Sequence, residues 1–115
     1  LLLVAQVVQE ESKGSGVEAR AAVANVLYNR IASSRFPDSI SGVIFQKNQF
    51  TVARDEDKLR AVVPVSKTIE AVNQIFVNGD RFMPEDVLYF RSSKKGTSWD
   101  KRVYYATFGG NSFFY

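Results

Sequence analysis

The sequence predicts an α+β fold, mainly helical, with a small antiparallel sheet toward its C-terminus. Apolar residues recur at helical spacing through the first thirty positions and again over 66–77. Ten of the fifteen aromatic residues lie between Phe82 and Tyr115. In that same stretch β-branched and aromatic runs, broken by glycine turns, replace the helical period. A chain of 115 residues is expected to form one domain with one core.

The first helix should run from Leu1 to about Ser12, where Lys13-Gly14-Ser15-Gly16 breaks it. The second spans about Val17 to Ala32. Its Ala21, Val23, Ala24, Val26, Leu27, Tyr28 and Ile31 cover most of the circumference, which marks it as the central buried helix. Glu18, Asn25 and Asn29 share the remaining stripe. Pro37 bars its continuation, and Ser39 or Ser41 is placed to cap a short helix over Gly42–Phe45. Gln46 to Thr51 reads as a loop leading into a short extended piece, and Arg54–Lys58 as a solvated loop or helix start. A further helix covers about Ser66 to Val77 and stops at Asn78-Gly79. Strands are expected at Val87–Phe90 and Val103–Phe108, with a last short one at Phe113–Tyr115 after a Gly109-Gly110 turn.

The chain holds neither cysteine nor histidine. That removes disulfides, thiolate nucleophiles, the Ser-His-Asp triad and the usual zinc ligands together. Hydrolytic chemistry here must run on carboxylates, hydroxyls, amides or lysine. No metal and no cofactor is implied. The net charge is +3, and residues 91–115 alone hold five basic side chains against one acid, so the rest of the chain carries −1. Such a segment is suited to an anionic polymer or to keeping a loop in solution. The opening Leu1-Leu2-Leu3-Val4-Ala5 is too short to span a bilayer and lacks a basic flank, so no membrane insertion is expected of it. It reads as the first helix of a domain cut from a longer parent.

Glu11 is the chemically distinctive residue. At ~100° per residue it falls beside Val4, Val7 and Val8, whereas Glu10 falls on the opposite face with Gln6 nearest to it. A carboxyl group against apolar surface has its charged form disfavoured and can carry a proton at neutral pH. A general acid acting on a glycosidic oxygen has that requirement. The competing reading is a solvated carboxylate at a helix end, although an acid there opposes the macrodipole and does not stabilise the helix.

Glu11-Ser12-Lys13-Gly14, followed by Glu18 through Asn29-Arg30, resembles the catalytic domain of the spore cortex-lytic enzyme family of cell wall hydrolases. The likeness continues through Phe36–Gln46 and Gln49-Phe50-Thr51, and resumes at Leu88-Tyr89-Phe90, Trp99 and Phe108-Gly109-Gly110-Asn111. It covers essentially the whole chain. The resemblance implies a lysozyme-like fold that cleaves the β-1,4 bond between N-acetylmuramic acid and N-acetylglucosamine. It implies a lytic transglycosylase, in which one glutamate is acid and then base, and it puts that glutamate at Glu11. The sugar's own 6-hydroxyl then displaces the leaving group, so no second carboxylate is required. Two positions depart from the family pattern: Ser15, where an acid is common, and Asn111, where many members have histidine.

The expected substrate-binding residues are Gln49, Phe50, Thr51, Tyr89, Trp99 and Asn111. Gln49 offers amide hydrogen bonds and Phe50 an apolar face, with core packing the alternative for Phe50. Thr51 is a candidate partner of Glu11 or of substrate. Tyr89 and Phe90 alternate on a strand, and Tyr89 is the one expected to face the cleft. Trp99 is a candidate stacking platform or an edge anchor. Asn111 offers hydrogen bonds to sugar, while Asn29 and Arg30 are expected to tie their helix end to neighbouring backbone. The partner expected is a peptidoglycan glycan strand, not nucleic acid, and the location is outside the cytoplasmic membrane, in wall or spore cortex. One rival is a hydrolytic muramidase needing a second carboxylate, for which Asp55, Asp57, Glu85 and Asp86 are candidates. The other is a non-catalytic wall-binding domain built on the basic, aromatic C-terminal segment.

Overall fold

The computed structural model describes residues 1–115. In chain order it has helices α1 (Leu2–Glu11), α2 (Val17–Ala32), α3 (Ile40–Ile44), α4 (Glu56–Arg60) and α5 (Ser66–Phe76), then strands β1 (Tyr89–Ser92), β2 (Tyr104–Phe108) and β3 (Asn111–Phe114). The three strands form one antiparallel sheet in the order β1-β3-β2, so the last strand is the central one. The α+β architecture expected from the sequence is the one observed. No helix is long and apolar enough to cross a membrane.

Helix α2 is central because almost every side chain on it is buried, from Ala19 to Leu27 and on to Arg30. Glu18 in its first turn and Arg30 in its last both complement the helix dipole. Helices α1 and α5 pack on it, contributing Val4, Val7, Val8, Val72 and Ile75, all essentially inaccessible. Burying a valine or isoleucine side chain of this kind contributes about 1.5–3 kcal/mol, so these helices are held by packing more than by propensity. Phe113 of β3 belongs to the same core, which joins the sheet to the helices.

Buried polar side chains zip α2 to the chain that precedes β1. Asn25 Oδ1 accepts the backbone N–H groups of Phe82 and Met83, and Asn29 Nδ2 donates to the carbonyls of Pro84 and Val87. Arg30 Nε donates to Leu88 O at 2.7 Å. The polar stripe on this helix therefore binds backbone. Arg20 plays a similar part at the other end, donating to Ser15 O and to Thr68 Oγ1, whose hydroxyl in turn reaches Gln9.

Three local expectations are corrected. The piece to which the Gln46–Thr51 loop leads is not extended: Thr51–Ala53 is a 3₁₀ turn, and Asn48 within the loop is in a left-handed conformation (φ 65°). The charged stretch, expected as a solvated loop or a helix start, is the latter: it opens α4, with Asp55 Oδ1 accepting from the N–H of Lys58. The first strand begins two residues later than Val87: its pairing with β3 starts at Tyr89 opposite Phe114, and the carbonyls of Val87 and Leu88 just before it accept from Asn29 and Arg30. The last strand starts at Asn111 instead of Phe113. Ser39 does cap the short third helix, accepting from Gly42 N at 3.0 Å.

Candidate active site

The end of α1 opens into a cleft of about 480 Å³. Glu10, Glu11 and Lys13 form one wall, Gln49, Phe50 and Thr51 the second, and Phe90 through Ser92 with Gly110 and Asn111 the third. Of the residues expected to bind substrate, the structure brings Gln49, Phe50, Thr51 and Asn111 together around Glu11. It does not bring Tyr89 or Trp99 to this cleft.

Glu11 makes no ion pair; the two carboxylates that do are Glu10, with Lys13 at 3.1 Å, and Glu56, with Arg60 at 2.7 Å. Burial raises the Glu11 pKa above the ordinary carboxylate value, the neighbouring Glu10 raises it further, and Arg30 opposes both. The carboxyl thus retains its proton to higher pH than a solvated one. Its backbone is held from across the fold, because Asn111 Nδ2 donates to Glu11 O at 3.2 Å. Ser12 secures the helix end by donating its hydroxyl and its backbone N–H to Val8 O.

Arg30 forms the floor. It is 4 % exposed, and its guanidinium lies 5.0 Å from the Phe36 ring centroid, 5.1 Å from Phe50 and 5.6 Å from Tyr89. Burial is the main reason its pKa falls to about 10, so it is still a cation at neutral pH. Its Nη1 donates to Gln49 Oε1 at 3.0 Å. That bond anchors the Gln49 amide in the cleft wall and leaves its two N–H donors without a partner in the protein. Phe50 is both core and cleft wall: it is 6 % exposed and lies 6.2 Å from Phe90. The core and cleft readings of this residue are therefore compatible. Thr51 lines the cleft, but its hydroxyl makes no hydrogen bond to Glu11.

On β1 the aromatic residue at the cleft is Phe90, stacked 5.6 Å from Phe113. The pleat puts Tyr89 on the other side. There its ring packs against Phe36 and Trp99, and its hydroxyl accepts from Arg35 Nη2 at 3.2 Å. Trp99 is an edge anchor on Phe114, centroid to centroid 5.1 Å. Glu10, Arg30, Phe90 and Arg91 are cleft residues that the sequence reading did not assign. The helical wheel separated Glu10 from Glu11, yet the cleft wraps the end of α1, where both project. No three acidic side chains converge as a metal site.

A single desolvated carboxyl group in an open, sugar-sized groove, flanked by amide donors and aromatic faces, is the equipment of an acid–base catalyst. The chain belongs to the Cell Wall Hydrolase family, whose model matches residues 14–115. Glu11 stands three residues ahead of that matched span. The spore cortex-lytic enzyme of Oceanobacillus iheyensis is 33% identical over 104 residues, covering 84% of this chain and 34% of that protein. That of Bacillus subtilis is 34% identical over 97 residues, covering 84% of this chain and 31% of that protein. The chain thus spans about a third of the length of these curated relatives. Among solved structures, the catalytic domain of the Bacillus cereus SleB protein superposes with a TM-score of 0.81 at 31% identity, covering 99% of this chain and 88% of that one. The catalytic domain of the germination-specific lytic transglycosylase SleB from Bacillus anthracis gives 0.80 at 30% identity, covering 99% and 92%. The fold is therefore that of the SleB catalytic domain, and the chain is an enzyme domain of the cell wall hydrolase class.

Proposed function

We propose that this domain cleaves the β-1,4 bond between N-acetylmuramic acid and N-acetylglucosamine in peptidoglycan, as a lytic transglycosylase with Glu11 as its one acid and base. The observation that supports this most is the isolation of Glu11: it is the cleft carboxyl without an ionic partner, and its neutral form is favoured by burial. The name of the Bacillus anthracis relative points the same way.

In the first step the protonated Glu11 gives its proton to the glycosidic oxygen as the bond to the muramyl anomeric carbon breaks. Arg30, close enough to lower the Glu11 pKa, stabilises the carboxylate that forms. That carboxylate then takes the proton of the muramyl 6-hydroxyl as its oxygen attacks the anomeric carbon. The products are a 1,6-anhydromuramyl end and a free N-acetylglucosamine end, and Glu11 is protonated again. Gln49 donates to an acetamido carbonyl, Phe50 and Phe90 give the sugar an apolar wall, and Thr51 meets its hydroxyls. Asn111 holds the Glu11 backbone. Tyr89 and Trp99 serve from outside the cleft, by packing around Arg30 and the outer face of the sheet.

A hydrolytic muramidase would need a carboxylate to direct water from the opposite face of the sugar. Asp55 is occupied as a helix cap, and Asp57, Glu85 and Asp86 do not line this cleft. Glu10 is adjacent to Glu11 on the same helix end and cannot flank the ring from the other side. The site is read as acting outside the cytoplasmic membrane, on wall or spore cortex glycan. Fragment analysis with wild type and Glu11→Gln tests the reading: anhydromuramyl ends from wild type alone support it, and reducing muramyl ends overturn the transglycosylase step.

A further inference from the structure

The five basic residues between 91 and 102 are Arg91, Lys94, Lys95, Lys101 and Arg102, with Asp100 the only acid among them. None of the five has a carboxylate within ion-pair distance, since the protein's two ion pairs lie elsewhere. The segment is nevertheless built as an ordered structure. Strand pairing puts Tyr89, Arg91, Phe114, Ser112 and Tyr104 on the outer face of the sheet. The loop after β1 folds back over that face, and Trp99 seals Phe114 beneath it. Arg91 stacks 4.6 Å from the Trp99 centroid and donates through Nη2 to the carbonyls of Lys95 and Ser98. Arg102 lies 3.6 Å from the Tyr89 centroid. The two arginines are spent as staples. The three lysines are left exposed and unpaired on a loop that those staples fix in place.

The loop adjoins the Glu11 cleft. Ser93 N–H donates to Gly110 O at 2.8 Å, and Ser92, Gly110 and Asn111 line the cleft wall on this side. A chain leaving the cleft past Ser92 and Gly110 meets Lys94 and Lys95 next. Uncompensated like charges repel one another and destabilise the compact state, whereas an ordered cationic surface attracts and retains a polyanion. All of the protein's net positive charge is concentrated here, since the remaining residues sum to −1.

We propose that this basic loop is a holding surface for the anionic part of the glycan strand, the carboxylates of its peptide stems, which keeps the polymer engaged beside the cleft. This rests on the glycan-cleaving reading above and names the feature of the polymer that the enzyme grips outside its reacting sugars. A neutral glycan would fill the cleft equally well, but the loop would not retain it.

The test uses a triple variant, Lys94→Gln, Lys95→Gln and Lys101→Asn; the last change suits a residue at φ 63°. Co-sedimentation with purified insoluble peptidoglycan is measured at low and high salt, beside turnover of short soluble glycans stripped of their stems. Wild type should bind the polymer strongly at low salt and release it at high salt. The variant should bind on the order of tenfold more weakly at low salt, with little salt dependence, and turn over the stemless glycan as wild type does. Equal binding and equal salt dependence would overturn the proposal. Failure of both proteins on stemless glycan would count against the glycan-cleaving reading, while the binding comparison still judges the loop. Two further arms identify the anion. Binding that survives removal of phosphate polymers but falls when the stem carboxylates are amidated supports the stems. Binding lost with the phosphate polymers, or matched by duplex DNA, overturns that assignment.

Discussion

Asn111 and Glu11 stand a hundred residues apart and are joined by one hydrogen bond, from the Asn111 side-chain amide to the Glu11 carbonyl at 3.2 Å. The bond ties the first residue of the central strand to the last residue of the first helix. It fixes where the acid stands relative to the sheet wall of the cleft. In this bond the Asn111 side chain acts only as a donor, a part its amide fills without any proton transfer.

Asn111→Ala should therefore cost about 1 kcal/mol of stability and lower kcat several-fold, because the Glu11 carbonyl loses its donor. Asn111→His, which restores an N–H donor, should keep most of both. Thermal denaturation and turnover on peptidoglycan check the pair, and an unchanged alanine variant would contradict the role.

Glu10 is the adjacent charge that raises the Glu11 pKa after burial has done so. A raised pKa keeps the carboxyl protonated to higher pH, and with Glu11 as the proposed acid activity should fall as pH rises through it. Glu10→Gln removes the like charge, so the alkaline limb of kcat/KM should move to lower pH. A limb that stays put, or moves up, would contradict the electrostatic assignment.

Gln49 lines the cleft and is anchored by Arg30, which donates to its side-chain oxygen. Gln49→Glu keeps an acceptor for Arg30 but removes both N–H donors from the cleft. It should raise KM on N-acetylated glycan by roughly tenfold with little change in Tm. Arg30→Lys should lower Tm as well as activity, because an ammonium cannot span Leu88 O and Gln49 while stacking on three rings.

Gly109 makes the turn between the last two strands at φ 57°, and a Cβ there would lie 2.8 Å from both Ala19 Cβ and Ser15 Oγ. Gly109→Ala should destabilise the protein by about 1–3 kcal/mol. Gly110→Ala meets nothing within 4 Å and should be nearly neutral. Denaturant unfolding of the two variants separates them.

Much of this was legible in the sequence, because the signals were local. The helical period gave α1, α2 and α5, Ser39 and Asn78-Gly79 marked ends, and the apolar side of α1 singled out Glu11. What the sequence did not disclose depends on contacts between distant segments. The first strand starts at Tyr89, where its pairing with β3 begins opposite Phe114, and the carbonyls just before it go to Asn29 and Arg30 on a distant helix. Arg30, expected to be a tether only, also reaches the cleft, because Phe36, Phe50 and Tyr89 converge on it from three separate segments. Alternation on β1 allowed Tyr89 or Phe90 to face the cleft; the stacking of Phe90 on Phe113, set by the pairing of β1 with β3, decides it.

The most direct test of the central claim is mass spectrometry of the fragments released from purified peptidoglycan by wild type and by Glu11→Gln. The account predicts 1,6-anhydromuramyl ends from wild type and none from the variant, which should fold normally because glutamine keeps the shape of the side chain. Equal release by both proteins would contradict the assignment of Glu11 as the acid and base.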